Sequence, residues 1–206
     1  MKTDALIIFV RNPGLGKVKT RLAQTIGNEN ALSIYNKLLL HTMNTTTALE
    51  CDLFVFYDTI INDDDIWKDT IYNKKTQFGN NLGERMKNAF QELFNLGYKN
   101  CIIVGSDLFD LQAKHIKEAF DKLEKNDVVI GPAEDGGYYL LGLKKMIPAL
   151  FSNKNWGTQT VLKDTLNDLV KFSVDLLETL NDIDTFEDLE KSNYYYSLKN
   201  KTLLNF

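Results

Sequence analysis

The sequence predicts an α/β fold in one piece, and three observations carry that expectation. Short continuous apolar runs of strand length, such as residues 5–10 and 53–57, read as strands buried on both faces. Segments with helical apolar spacing alternate with them along the chain. No repeat, Pro/Ser-rich linker or low-complexity tract interrupts the 206 residues, a length that suits a single domain over 1–206.

Taken in order, residues 5–10 form the first strand. A glycine-rich loop follows and opens a helix, with helical spacing through Ala31, Ile34, Tyr35, Leu38, Leu39 and Met43. Residues 53–57 are a second buried strand, 62–65 an acidic solvated loop, and a short strand ends near Gln77. Leu82, Met86, Ala89, Phe90, Leu93 and Phe94 share one helical face, which Gly97 closes as a C-terminal cap. The strand 101–104 ends in Gly105-Ser106-Asp107, and a helix spans about 112–123. Strands at 127–130 and 138–143 follow, then a helix marked by Val161, Leu162, Thr165, Leu166, Leu169 and Val170. A strand near 172–176 precedes a last short helix from about Thr185.

Composition narrows the function. With 24 basic against 28 acidic residues and a net charge of −4, a broad basic footprint for nucleic acid is not expected. Cys51 and Cys101 lie far apart in apolar runs, and His41 and His115 are isolated in helical stretches as packing or surface side chains. That pattern excludes a disulfide framework, CxxC zinc sites and HExxH chemistry. The opening apolar run is too short for a signal segment or a membrane span. A cytoplasmic protein without a membrane partner is the simplest expectation. Only three basic residues are arginine: Arg11, Arg21 and Arg85. All lie beside glycines, as ligand or network residues whose fork a lysine could not replace.

In open α/β sheets ligands bind beyond the carboxyl ends of the strands, so four post-strand segments stand out. In the first, Arg11, Lys17, Lys19 and Arg21 surround Gly14 and Gly16 at the start of a helix, a local positive pocket suited to a pyrophosphate. The spacing is neither a Walker loop nor GxGxxG. In the second, Gly79 and Gly83 allow a loop to wrap a ligand, and Arg85 either enters the same crevice or pairs with Glu84 or another acid. In the third, Asp107 at a strand end offers a hard oxygen ligand for Mg2+ or Mn2+ shared with phosphate. Asp110 reads as the cap of the following helix. The fourth, residues 131–142, carries Glu134, Asp135, Gly136 and Gly137 between two strands, with Asp135 as metal ligand or base. Trp156, Thr158, Asp182 and Asp184 are later candidates. Asp182 and Asp184 read as caps, because Asp184 and Glu187 have capping spacing.

The segments FVRNPGLGKVKTRLA, QFGNNLGERM, GSD, GPAEDGGYYLLGL and DIDTFEDL, in that order over about residues 4–190, resemble a bacterial GT-A-fold glycosyltransferase family associated with radical-SAM genes and arsenosugar biosynthesis. That family is itself similar to the guanylyltransferases of molybdenum-cofactor and phospholactate metabolism. The resemblance implies a three-layer α/β/α sandwich with a Rossmann-like mixed sheet. It also implies a nucleotide-binding half over about 1–107 and an acceptor half over about 108–206. The implied chemistry is sugar transfer from a nucleotide-diphospho-sugar to a small acceptor. Its alternatives are nucleotidyl transfer from a nucleoside triphosphate, or nucleotide binding without turnover. Arg11, Gly14, Gly16, Lys17, Lys19, Arg21, Gly79 and Arg85 would then face the nucleotide and phosphates, with Lys19 and Arg21 acting in catalysis. Asp107 would hold the divalent ion. Asp135 would serve as base or second metal contact, and Glu134, Gly136, Gly137 and Trp156 would lie on the acceptor side. The family carries proline where this chain has Phe109, which raises the reading without turnover. A second copy of the chain is a further candidate partner, with 194–196 as a subunit contact or a packing patch.

Overall fold

A computed structural model describes residues 3–197. It contains one seven-stranded sheet. The strands are β1 (Asp4–Val10), β2 (Asp52–Tyr57), β3 (Tyr72–Thr76), β4 (Asn100–Val104), β5 (Val128–Pro132), β6 (Tyr138–Leu143) and β7 (Val174–Leu176), in the spatial order β3-β2-β1-β4-β6-β5-β7. β6 runs antiparallel to both β4 and β5, and the other pairings are parallel. The expected mixed sheet is therefore present.

Strand alternation explains the layers. Along β1, Leu6, Ile8 and Val10 point to one face, while Ala5 and Ile7 point to the other, and all five are buried. The first face is covered by α2 (Asn28–Thr46) and α4 (Ala113–Leu123) through Tyr35, Leu39, Ile116, Ala119 and Leu123. The second is covered by α3 (Leu82–Asn95) and α5 (Val161–Asp168), with a 3-10 turn at Pro148–Phe151. Helices on both faces of one sheet make the α/β/α sandwich that the resemblance implies.

The helix after the first loop is two helices. α1 (Thr20–Ile26) ends at Gly27, whose φ of 82° breaks the chain before α2 begins. α1 packs with α6 (Phe186–Lys191) around a third apolar cluster of Leu22, Ile34, Leu38, Ile183, Leu189 and Tyr194. Tyr194 is thus a packing residue, and Tyr196 is exposed. Phe109 joins the same cluster, stacked on His41 at 4.8 Å and tilted against Tyr194 at 5.0 Å.

Two expected caps are corrected. α4 is capped by Gln112, whose backbone N–H donates to His115 Nδ1, while Asp110 accepts from the Asn193 amide. The apolar spacing placed this helix well, but an aspartate two residues early lies outside the first turn. α6 is capped by Thr185 with Asp188, not by Asp184 with Glu187, so both Asp182 and Asp184 are free of capping.

At the far edge of the sheet, Asp127 ties β7 to β5. Its carboxylate accepts from the Ser173 backbone N–H at 3.1 Å and from the Ser173 hydroxyl at 3.0 Å. These donors hold its carboxyl below the ordinary aspartate range. A depressed folded-state pKa contributes stability that is present above the unfolded value of ~3.9 and lost as pH falls through the folded one. Wild type is therefore expected to lose more stability than Asp127→Asn between pH 6 and pH 3, as read from urea midpoints. Equal losses would remove this carboxylate from the acid response.

Candidate functional site

The order of the sheet places the site. β1, β2 and β3 step outward in one direction and β4 lies on the other side of β1, so β1 and β4 flank a topological switch point. A crevice of about 770 Å3 opens beyond their carboxyl ends. Arg11, Lys19, Arg21, Arg85, Asp58, Asp107 and Asp184 line it. The loop after β1 and the aspartate after β4, 88 residues apart in sequence, therefore meet.

They meet through Lys19. Its Nζ donates to Asp107 Oδ2 at 3.1 Å and to Asp184 Oδ1 at 3.5 Å, and Arg21 Nη1 reaches Asp184 Oδ2 at 3.3 Å. The Lys19 side chain is only 5% exposed, whereas Asp107 and Asp184 are 36% and 41% exposed and face the cavity. Burial pulls the Lys19 ammonium down, but the two carboxylates outweigh it and hold its pKa above the usual value. Burial likewise pushes Asp107 up, and Lys19 overcomes that to hold it below the usual carboxylate range. Lys19 also sits at φ 48°, ψ 45°, in the left-handed region, as the residue before α1. A lysine there is strained by about 1 kcal/mol or more.

The remaining walls are fixed by capping interactions. Tyr35 accepts from the Arg11 backbone N–H at 2.8 Å and donates to its carbonyl at 3.1 Å, anchoring the loop to α2. Gln77 donates through Nε2 to Val10 and Phe56 carbonyls, closing the ends of β1 and β2. Arg85 donates from Nε to the Gly79 carbonyl at 3.1 Å and from Nη1 to Gln77 Oε1 at 3.4 Å, so it enters the crevice. Glu84 is occupied elsewhere, accepting from Asn80 and Asn81 at the start of α3. Gly79 is required there: at φ 140° an added Cβ would stand 2.7 Å from Glu84 Cβ and 2.9 Å from the Arg85 nitrogen.

A second cavity of about 210 Å3 abuts the first and shares Phe9, Leu82, Gly105 and Asp107 with it. Asp135, Gly137, Trp156 and Asp182 also line it. Asp135 Oδ1 accepts from the Gly137 N–H at 2.7 Å, which holds the acidic tip in place. Burial, then the neighbouring Asp107 and Asp135 carboxylates, push Asp182 up to about 7.

Not every expected residue joins the two cavities. Gly14, Gly16, Lys17, Gly79, Glu134 and Gly136 line neither. Lys17 is exposed and its stem lies over Gly14, while Glu134 is exposed at the tip. Gly136 instead packs against the Gln159 backbone and accepts from Leu162 N–H, joining the loop to α5. Phe109 packs away from the crevice, and Asp107 keeps its place at the strand end. Sequence reasoning named Asp182 and Asp184 as candidates but favoured a capping role for both, and it missed Gln77 and Tyr35 as site residues. For Asp184 the available signal was its place beside a second, overlapping capping frame.

Among the described residues, no three His, Cys, Asp or Glu side chains meet as a metal centre built from protein ligands alone. The donor set still suits a hard cation. Mg2+ is commonly held by one or two carboxylates and completed by water and substrate phosphates. Asp107 and Asp184 converge on a single ammonium, a cation already sharing both oxygen donors.

The strain at Lys19 gives a test that separates backbone from charge. Lys19→Ala and Lys19→Gly both remove the ammonium, but only glycine adopts the left-handed conformation freely. The glycine variant is expected to be more stable than the alanine variant by about 1 kcal/mol in urea denaturation. Equal stabilities would show that the position carries no backbone strain.

Comparison with known proteins supports the same frame. No curated protein matches this chain in sequence. A Desulfovibrio desulfuricans G20 protein, provisionally assigned as a nucleotide-diphospho-sugar transferase, is 32% identical, with a TM-score of 0.86 over 99% of this chain and 97% of its own. The 4-diphosphocytidyl-2C-methyl-D-erythritol synthase of Anaerococcus prevotii DSM 20548 shares the fold at 15% identity, with a TM-score of 0.62 over 95% and 96% of the two chains. Rv0371c of Mycobacterium tuberculosis H37Rv, in complex with manganese, shares it at 11% identity, with a TM-score of 0.54 over 92% and 97%. Residues 41–158, more than half of the chain, match the family described as an uncharacterized protein conserved in bacteria (DUF2064), and together with the Desulfovibrio relative this shows that the chain belongs to that family.

Proposed function

We propose that this protein is a divalent-metal-assisted transferase acting on a nucleotide-activated donor, and specifically a glycosyltransferase that moves a sugar from a nucleotide-diphospho-sugar to a small acceptor. The observation that carries the reading is the crevice floor. There Asp107 and Asp184 share the Lys19 ammonium, with Arg11, Arg21 and Arg85 on the walls around them. Forked guanidinium groups match phosphate oxygens in geometry and charge. The assignment of the Desulfovibrio relative supports this donor class. The manganese bound by the mycobacterial protein points the same way by analogy of fold. A link to arsenosugar biosynthesis rests on the resemblance of the sequence motifs.

Asp107 and Asp184 would hold Mg2+ or Mn2+. When bound, such an ion offsets the charge that develops on a departing diphosphate. The arginines clamp the phosphates. Lys19 keeps both carboxylates oriented and adds positive charge beside the leaving group, where preorganised charge contributes most to rate. Asp135, which lines the adjoining cavity, would take the proton of an attacking hydroxyl. In this reading residues up to about 107 bind the donor and those from about 108 the acceptor, with Asp184 reaching back into the donor crevice. The arginine-rich wall also favours a second reading, nucleotidyl transfer, in which a substrate phosphate attacks a nucleoside triphosphate and pyrophosphate leaves.

Incubation with Mn2+ and a panel of nucleotide sugars and triphosphates separates the two. Release of nucleoside diphosphate from a nucleotide sugar is expected. Pyrophosphate from a triphosphate, with no nucleotide sugar consumed, would favour the second reading, and absence of any nucleotide binding would overturn both. Asp107→Asn and Asp184→Asn should each lower turnover by roughly 10²-fold or more and weaken Mn2+ binding in calorimetry. Unchanged metal affinity in either variant would remove that residue from the metal site.

A further inference from the structure

The two adjoining cavities differ sharply in charge. The donor crevice mixes four cationic side chains with three carboxylates. The smaller cavity is lined by Asp107, Asp135 and Asp182 and by no lysine, arginine or histidine. Where α5 begins, three backbone N–H groups are already taken. The Val161 N–H already donates to the Thr158 carbonyl and the Leu162 N–H to the Gly136 carbonyl, while the Gly137 N–H is taken by Asp135. The rest of the wall is mostly apolar and aromatic, including Phe9, Met86, Tyr138 and Trp156, with Thr158 among them. At about 210 Å3 the space is below the ~300–1,000 Å3 of sites for drug-sized ligands.

We infer that the acceptor is a small hydroxyl compound with an apolar body and a neutral or positive charge, and that phosphorylated acceptors are excluded. The inference rests on the transferase reading above and names its second substrate. A phosphate brought into this cavity would face the Asp107 and Asp135 carboxylates, with no lysine, arginine or histidine on the wall to pair with it, which like-charge repulsion disfavours. Aromatic walls beside carboxylates instead suit an alkyl body or an amine. The step balances simply. The acceptor oxygen forms a bond to the anomeric carbon, and the bond from that carbon to the β-phosphate oxygen breaks. Its electron pair leaves with the nucleoside diphosphate, and the hydroxyl proton passes to Asp135. Nucleotidyl transfer would need a phosphorylated substrate in the same space, so the charge of this cavity also bears on which reaction the donor crevice serves.

Three probes on one carbon frame test the acceptor class: 1,4-butanediol, 4-amino-1-butanol and 4-hydroxybutyl phosphate. Their binding to the full chain with Mn2+ is read by saturation-transfer NMR, and nucleotide-sugar binding to the same sample is read by calorimetry. The diol and the amino alcohol are expected to bind at least 10-fold more tightly than the phosphate ester. Thr158→Lys, which adds a cation to the wall of this cavity, should narrow that ratio to within about threefold. The inference is overturned if the phosphate ester binds as well as its partners, if none of the three registers, or if Thr158→Lys leaves the ratio unchanged. Each of those results leaves the donor reading standing as long as the calorimetry shows nucleotide-sugar binding. Loss of the calorimetric signal alone would strike the donor reading instead.

Discussion

The site depends on one buried ammonium. Lys19 joins a loop after β1, a strand end at β4 and a segment before α6 through two contacts, to Asp107 and Asp184. Its backbone is held in a conformation that lysine disfavours, which only a surrounding structure with enough contacts can sustain. Tyr35 anchors the same loop from α2, and the third apolar cluster holds α1 against α6. The strained residue and the two acids it binds are therefore tied into one unit.

Charge then sorts the molecule around that unit. On one side three arginines and the Asp107 and Asp184 carboxylates face a roomy crevice. On the other, a small and mostly apolar cavity carries aspartates but no lysine, arginine or histidine, with Asp107 shared between the two. A protein of net charge −4 places all three of its arginines around a single crevice, and their forked geometry is one that its many lysines could not reproduce. The polarity changes across the space where a donor and an acceptor would meet.

Much of this was legible in the sequence because buried strands and amphipathic helices leave strong periodic signals. β6 is found at the bounds its apolar run predicts, and the loop after β1 and Asp107 announced themselves by glycines, cations and a strand end. What was not legible was mostly a matter of one-residue register and of long-range order. In Asp184-Thr185-Phe186-Glu187-Asp188 two capping frames overlap, and local spacing alone does not say which the helix adopts; the structure uses Thr185 with Asp188 and releases Asp184 to Lys19. Asp182, a late candidate in the sequence, read as a cap until the fold set it beside Asp107 and Asp135. Lys17 counted as part of a positive loop, yet its stem turns outward over Gly14, a direction set by the loop's own turn from Gly14 to Lys17. The order of strands, which creates the switch point, comes from pairing between segments far apart in the chain.

The central claim is that Asp107 and Asp184 form a shared cation locus against the phosphates of a nucleotide. Crystals grown with Mn2+ and a nucleoside diphosphate, measured at the manganese absorption edge, test it most directly. The account predicts one anomalous peak at coordination distance from both carboxylates and from a phosphate oxygen, with Arg11, Arg21 and Arg85 turned towards the same phosphates. A manganese peak away from these aspartates, or a nucleotide bound outside the crevice, would contradict it.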